Sequence, residues 1–382
     1  MNARERVLAA LSHREPDRVP FDLGGTIVTG IHEEAYRRLV PALGLPPREL
    51  VIQDRTQHLA AMDDDVRDRL QVDTGGLYQG TPIVTREREE VRDGYAWIWD
   101  DFGMGWRCPV DGGLYHDLAH SPLAGDITLG DVRAQPSPEP ADEGRTAGMR
   151  ERALHIRDVE GRAVCIWGFG GGILETASWL RGLEQFFMDL AAEPELACAI
   201  MDRVLEWKLA YYEHVLSKVG DLVDVFFEGD DQGTQQSLLV SPEAYRRYIK
   251  PRQAELFRAI HARSAAKVAL HSCGAVRPII GDFIEIGVDV LNPVQVSAAG
   301  MDPAELKAEF GREIVFWGGG VDTQRVLWAG SPQDVRDEVR RRIDALAPGG
   351  GYVFAAVHNI QAGVPAENIV AMREASLEAR GY

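Results

Sequence analysis

From Gly161 onward the chain alternates short apolar runs with longer stretches whose apolar residues recur three and four positions apart. The runs Ala163 to Phe169, Asp224 to Phe227, Lys267 to Leu270, Val288 to Asn292, Ile314 to Trp317 and Tyr352 to Val357 have the length and character of strands buried on both faces. The stretches between them read as amphipathic helices. Upstream, Val19-Pro20-Phe21-Asp22 and Val72 to Tyr78 supply two more strand candidates, and helical spacing marks Asn2 to His13, Glu33 to Leu43 and Asp63 to Leu70. Pro16 stops the first helix. Eight strands alternating with helices through right-handed crossovers predict an α/β chain folded as an eight-stranded parallel β/α (TIM) barrel. A doubly wound open sheet is the rival, but it would carry a phosphate-binding glycine fingerprint after its first strand, and none stands there.

Between Thr81 and Leu123 the rhythm changes to short alternating pieces. Thr85 to Val91 and Tyr95 to Asp100 flank Arg92-Asp93-Gly94, which is hairpin chemistry. The pattern predicts an antiparallel excursion inserted in the barrel and continued through Trp106 to Tyr115. Pro136 to Glu143, rich in Pro, Ala and Glu, reads as a surface loop or the entry to a helix. The expected organisation is one barrel domain, residues 1–382, with a β-rich insertion at about 81–123.

Composition narrows the partners. Lys and Arg number 41 against 59 Asp and Glu, a formal net charge of −18 that opposes nucleic acid and anionic membrane surfaces. Met1 to Pro20 lack an apolar core, and no apolar run reaches about 18 residues, so a cytoplasmic protein without membrane association is expected. Cys108, Cys165, Cys198 and Cys273 are widely spaced without a Cys-x-x-Cys, which argues against a disulfide framework and a zinc ribbon. The oligomeric state stays open, a homodimer included.

In a β/α barrel the chemistry collects at the carboxyl ends of the strands. Here those ends carry Gly168-Phe169-Gly170-Gly171-Gly172, Glu228-Gly229-Asp230-Asp231, His271-Ser272-Cys273-Gly274, Asn292-Pro293-Val294-Gln295, Gly318-Gly319-Gly320-Val321-Asp322 and His358-Asn359. His271 and Cys273, two residues apart at a strand end, should project the same way. If the barrel brings His358 round to them, two imidazoles and a thiolate make the three protein ligands of a catalytic zinc with its fourth position open. The same residues also fit a buried thiol beside a hydrogen-bonded histidine, with His358 capping a strand end. Glu228, Asp230 and Asp231 are carboxylates that orient ligands, donate a proton or bind substrate, while at least one of them suits the capping of a turn. The glycine triplets match no Walker or dinucleotide pattern and suggest close backbone packing or substrate access. Trp97, Trp99, Trp106, Trp167, Trp179 and Trp317 suit either an aromatic pocket or the core, and Cys165 and Cys198 sit in apolar, inert settings.

Over nearly its whole length the chain resembles the uroporphyrinogen decarboxylase superfamily, and within it the zinc-dependent, corrinoid-linked methyltransferase branch that includes the methylcobalamin:coenzyme M methyltransferases. The resemblance is carried by Arg4-Glu5-Arg6-Val7 through Arg18-Val19-Pro20, by Ser241-Pro242-Glu243-Ala244-Tyr245 through Lys250-Pro251, by His271-Ser272-Cys273-Gly274 and by Val364-Pro365-Ala366-Glu367-Asn368. It implies a β/α barrel holding zinc through a His, a Cys two residues later and a distant Cys shortly before a Pro-x-Glu-Asn segment. His271 and Cys273 match the first two, and His358 stands at the third with imidazole in place of thiolate. Phe21-Asp22-Leu23-Gly24-Gly25-Thr26 occupies the place where the decarboxylase proper would carry arginines for a polycarboxylate tetrapyrrole.

The substitution at the third position has a chemical meaning. Two thiolates and one imidazole neutralise a zinc dication, whereas one thiolate and two imidazoles leave it positive and a stronger Lewis acid, suited to polarising a heteroatom that must leave. The expected activity is therefore a zinc-dependent O-demethylation, which moves a methyl group from a methylated small molecule, a methyl ether first, to the Co(I) of a corrinoid. Glu228 or Asp230 would protonate or position the leaving heteroatom. Methylation of a thiol from methylcobalamin and a metal-free decarboxylation are the alternatives. The chain carries no Asp-x-His-x-x-Gly signature, so the corrinoid (cobalamin) is expected on a separate corrinoid-binding protein.

Overall fold

The computed structural model describes residues 1–379. In chain order, β1 (Ile52–Asp54) and β2 (Leu59–Ala60) form an antiparallel ribbon ahead of β3 (Thr74–Leu77). Next come β4 (Arg88–Arg92), β5 (Tyr95–Trp99), β6 (Gly105–Pro109) and β7 (Asp117–His120), which pair in sequence order as an antiparallel sheet. The remaining strands are β8 (Ala163–Trp167), β9 (Val225–Gly229), β10 (Lys267–His271), β11 (Val290–Asn292), β12 (Val315–Trp317) and β13 (Tyr352–Val353). With β3 they make a seven-stranded parallel sheet in the order β13-β12-β11-β10-β9-β8-β3, with helices between successive members.

The described residues thus give seven strands where the sequence pattern predicts eight. The expected first strand, Val19 to Asp22, is reduced to one parallel bridge between Phe21 and Phe354. Its backbone still bonds to both edges of the sheet: Phe354 N donates to Pro20 O and Asp22 N to Phe354 O, while Asp73 N donates to Phe21 O, each at 2.8 Å. Pro20 has no N–H to extend the ladder, and Gly24 and Gly25 turn the chain away.

Strand alternation divides the interior into two cores. Ala163 and Cys165, Val225 and Phe227, Ala269, Val290, Val315 and Trp317, and Val353 pack together on the concave face of the sheet. Their neighbours Val164, Ile166, Phe226, Val268, Leu270, Leu291, Phe316 and Tyr352 face the helical layer. The helix Ala3–Leu11, started by a capping box of Asn2 and Glu5, inserts Val7, Ala10 and Leu11 into the concave core and stoppers its amino-terminal end. Charged anchors hold it there: Arg4 pairs with Asp224 at 2.8 Å, and the buried Asp73 carboxylate accepts from Arg6 (2.6 Å), Arg18 (2.6 Å) and Phe21 N (2.8 Å). The motif residues Arg4, Arg6 and Arg18 are therefore structural, at the end opposite the strand carboxyl termini.

In the insertion, β4 and β5 join through Asp93 (φ +54°) and Gly94 (φ +79°), the left-handed pair that a two-residue turn requires. Thr85 and Arg86 lie outside β4 because Asp101 accepts from the Thr85 hydroxyl (2.9 Å) and from Arg86 N (2.5 Å). Pro136 to Glu143 is irregular up to a short helix at Glu143–Thr146. No helix among the described residues is long and apolar enough to cross a membrane.

Candidate metal centre

At the carboxyl end of β10 the chain leaves the sheet through Ser272, Cys273 and Gly274, and the alternation that turns Ala269 inward also turns His271 inward. His271, Cys273 and His358 each offer a ligand atom, and the three atoms all lie within 4.8 Å of one another. Cys273 Sγ is 3.4 Å from His271 Nε2, and the two imidazole rings meet edge to face at 5.3 Å between centroids. On the far side of the ring, Asn292 Nδ2 donates to Trp317 O at 3.0 Å, which leaves Asn292 Oδ1 to accept from His271 Nδ1 at 2.5 Å. That bond fixes the tautomer: Nδ1 carries the proton and Nε2 presents its lone pair toward Cys273 and His358.

Burial, opposed by the Asn292 hydrogen bond, lowers the His271 pKa to about 4; burial and the neighbouring His271 bring His358 to about 4 as well, against the pull of Asp231. Both rings are neutral at pH 7 and free to ligate. Burial, joined by the charges of Asp231 and Glu175, pushes the Cys273 thiol well above its ordinary value, so a cation is what would stabilise its thiolate. Two neutral imidazoles and a sulfur, one imidazole oriented from behind by an amide, are a donor set that fits zinc.

The three carboxylates at the end of β9 and just beyond it part company by the same alternation. Phe227 faces the concave core, so Glu228 faces the helical layer, where Lys208 Nζ meets its carboxylate at 2.7 Å and Tyr212 donates its hydroxyl to it. Asp230 caps the first turn of the helix Ile173–Arg181, accepting from Leu174 N (3.3 Å) and Glu175 N (3.0 Å), and takes a third bond from Gln253 at 2.8 Å. Burial lifts its pKa to about 7 against those hydrogen bonds. Asp231 turns to the cluster of His271, Cys273 and His358: its Oδ1 accepts from Cys273 N at 2.7 Å and lies 3.9 Å from His271 Nε2.

Glu175 joins this group without a sequence signal beyond its place in the first turn of a helix after a glycine-rich loop. Burial and the charges of Asp231 and Asp230 raise its carboxyl well above the usual range, and burial raises Asp231 too. Two buried carboxyls this close each disfavour the charge on the other, so both are shifted toward the protonated form beside Cys273. Gly172 lets this helix approach the strand ends, since a Cβ there would lie 2.2 Å from Asp230 Cβ.

A cavity of about 700 Å³ opens onto Cys273 and His358, walled by Leu114 from the insertion and by Gln295, Val357 and Trp328. Trp328, 55% exposed, is a wall residue the sequence pattern did not single out. Of the six tryptophans considered, Trp167 lies nearest the site, edge-on to His271 at 6.2 Å; Trp317 is core, and Trp97 and Trp99 stack on each other in the inserted sheet while Trp106 meets Trp179 edge to face. Replacing Asn292 with Ala frees the His271 ring to rotate and change tautomer. The expected result is a loss of zinc affinity of about 10–100-fold with the fold retained, measured by competition with a chromophoric chelator.

A curled sheet of parallel strands with candidate ligands gathered at its carboxyl edge is the arrangement of a β/α-barrel-like enzyme scaffold. The uroporphyrinogen decarboxylase (URO-D) family matches residues 121–378, and the chain belongs to that family. Within it the chain is similar to the methylcobamide:CoM methyltransferases MtbA of Methanosarcina acetivorans (23% identity over 218 residues, 56% of this chain) and Methanosarcina mazei (23% over 206 residues, 53% of this chain). The matched stretches span 60% and 56% of those relatives' lengths. A solved methyltransferase from Methanosarcina mazei shares the fold, with a TM-score of 0.64, 18% identity and 99% of each chain covered.

Proposed function

We propose that this protein is a zinc-dependent methyltransferase that moves a methyl group from a methylated small molecule, a methyl ether first, to the Co(I) of a corrinoid carried by a separate protein. The observation that carries this proposal is the gathering of one ligand atom each from His271, Cys273 and His358 within 4.8 Å of one another, with Cys273 and His358 lining the cavity. Similarity to relatives named methylcobamide:CoM methyltransferases supports the corrinoid link. Imidazole at the third position favours the demethylating direction, for the charge reason given above.

Zinc held by the three side chains would supply Lewis acidity toward the heteroatom of the substrate. The chain's own part is positioning, exclusion of water and proton supply. Asn292 holds the His271 ring, and Leu114, Val357 and Trp328 give the small molecule an apolar wall. In the overall transfer the carbon–heteroatom bond breaks, the heteroatom keeps the electron pair and takes a proton, and the Co(I) pair forms the new bond to carbon. Of the carboxyls considered, Asp231 with Glu175 is the pair we assign to that proton, in preference to Glu228 and Asp230, whose oxygens are engaged by Lys208, Tyr212, Gln253 and a helix terminus.

A second direction, methylation of a thiol from methylcobalamin, is favoured by the names of the relatives. One experiment separates the two. Purified protein is mixed with cob(I)alamin and a panel of methoxylated aromatics, and in parallel with methylcobalamin and thiols, and the cobalamin absorbance is followed. Methylcobalamin appearing with an aryl methyl ether is the expected result. Consumption of methylcobalamin by a thiol, with no methoxy compound turned over, reverses the direction, and inactivity in both arms from protein that retains zinc removes the proposal.

A further inference from the structure

A second constellation of soft ligands lies outside the barrel mouth. His58, in the short loop between β1 and β2, Cys108 in β6, and His116 just before β7 each offer one ligand atom, and these atoms all lie within 4.8 Å of one another. His58 Nε2 is 3.3 Å from His116 Nδ1, and Cys108 is only 3% exposed. From this geometry we infer that His58, Cys108 and His116 form a second zinc site, which clamps the inserted sheet to the rim of the barrel.

The surroundings fit a ligand set better than a chance hydrogen bond. His58 Nδ1 faces Glu33 Oε1 at 3.7 Å, a carboxylate behind an imidazole that leaves Nε2 for the metal. His58 adopts a left-handed backbone, φ +54°, which a residue other than glycine takes up at a cost when its side chain is needed in one direction. The turn from Pro109 to Tyr115 folds back over the thiol so closely that a Cβ on Gly113 would stand 2.2 Å from Cys108 Sγ. His32 stacks on His58 at 5.8 Å but is not a ligand, since its Nδ1 accepts from Glu34 N and its Nε2 meets Leu114 O.

The clamp would act on the cavity through two short connections. The two ligands Cys108 and His116 bracket the turn whose Leu114 lines the cavity beside His358. Gln57, next to His58, accepts from Asn359 Nδ2 at 2.9 Å, and Asn359 follows His358. Metal at the second site therefore fixes one wall of the cavity and one neighbour of a barrel ligand, while its presence does not depend on any methyl transfer.

Cobalt(II) alone is the probe, read by the charge-transfer absorption of a thiolate–cobalt bond and by metal content per chain. Cys273→Ala protein, which lacks the thiol of the barrel cluster, is expected to keep one sulfur-bound cobalt per chain, and Cys108→Ser in that background is expected to abolish the band. His116→Ala, which leaves the buried thiol in place, is expected to weaken cobalt binding at least tenfold. Hydrogen exchange of the amides 110–115 should slow when cobalt is added to Cys273→Ala. Folded Cys273→Ala protein with no sulfur-bound cobalt, or a band that survives Cys108→Ser, overturns the second site. Failure of the barrel site has a different signature: unsubstituted protein would hold one cobalt rather than two, and its band would be unchanged by Cys273→Ala.

Discussion

His358→Ala is expected to strip zinc from the barrel site and to abolish methyl transfer with every donor, while the protein stays folded. A four-ligand structural zinc site is worth about 10–16 kcal/mol, so the share of one ligand is about 2.5–4 kcal/mol, or roughly a hundredfold to a thousandfold in affinity. His358 is the informative position because it comes from the segment after β13, far in sequence from His271 and Cys273, and because no hydrogen bond within the cluster depends on it as His271 depends on Asn292. Elemental analysis of dialysed protein and the cob(I)alamin assay check the two parts of the prediction. His358→Cys is the sharper companion. It restores a third ligand but replaces imidazole with thiolate, so zinc content should recover while demethylation of ethers stays slow and methylation of thiols from methylcobalamin gains. Zinc retained at full stoichiometry in His358→Ala with the second site also removed would mean that His358 is not a ligand.

Lys208→Met is expected to be the most destabilising single change near the site, by about 3–5 kcal/mol, read from the denaturant midpoint. Its ammonium is 1% exposed and its partner Glu228 2%, so removing the cation strands a buried carboxylate. Lys208 also donates to Phe169 O at 2.8 Å, which ties the glycine-rich loop to the helix Pro194–Val219. Pairing it with Glu228→Gln should recover most of the lost stability, because a neutral pair no longer leaves charge behind. The double variant also tests the role of Glu228. If Glu228 is structural, folded double variant keeps zinc and transfers methyl groups within a few fold of the unsubstituted protein; if Glu228 is the acid, transfer collapses although the fold survives.

Much of the scaffold followed from periodicity. The six runs after Gly161 became strands because they are apolar on both faces, which a parallel sheet covered by helices buries; the one around Thr74, Thr-Gly-Gly-Leu, joins them by pairing with β8 and gives the core only Leu77. Val19 to Asp22 carried the same apolar signal but not the backbone donors, and Pro20 limited it to a single bridge. The clustering of His271, Cys273 and His358 could be read because His-x-Cys at a strand end fixes two directions at once, and a curled parallel sheet brings the ends of distant strands to one rim. The carboxylates were harder. Glu228, Asp230 and Asp231 are adjacent in sequence, yet one residue of alternation separates a charge buried among helices from one beside the ligands. Glu175 and Trp328 gave no local signal, since what brings each to the site is the packing of a helix start and of the short helix Val326–Ala329 after β12 rather than any motif.

The helix Ala3–Leu11, with Val7, Ala10 and Leu11 filling the amino-terminal end of the concave core, makes the barrel a blind vessel. A small donor and a bulky corrinoid carrier would then share one doorway, and the carrier, once seated, covers it. On the proposed function, traffic through that doorway would be ordered: the donor would enter first, the carrier would close over it, and the demethylated product would wait for the carrier to depart. An excess of carrier should then slow turnover rather than speed it.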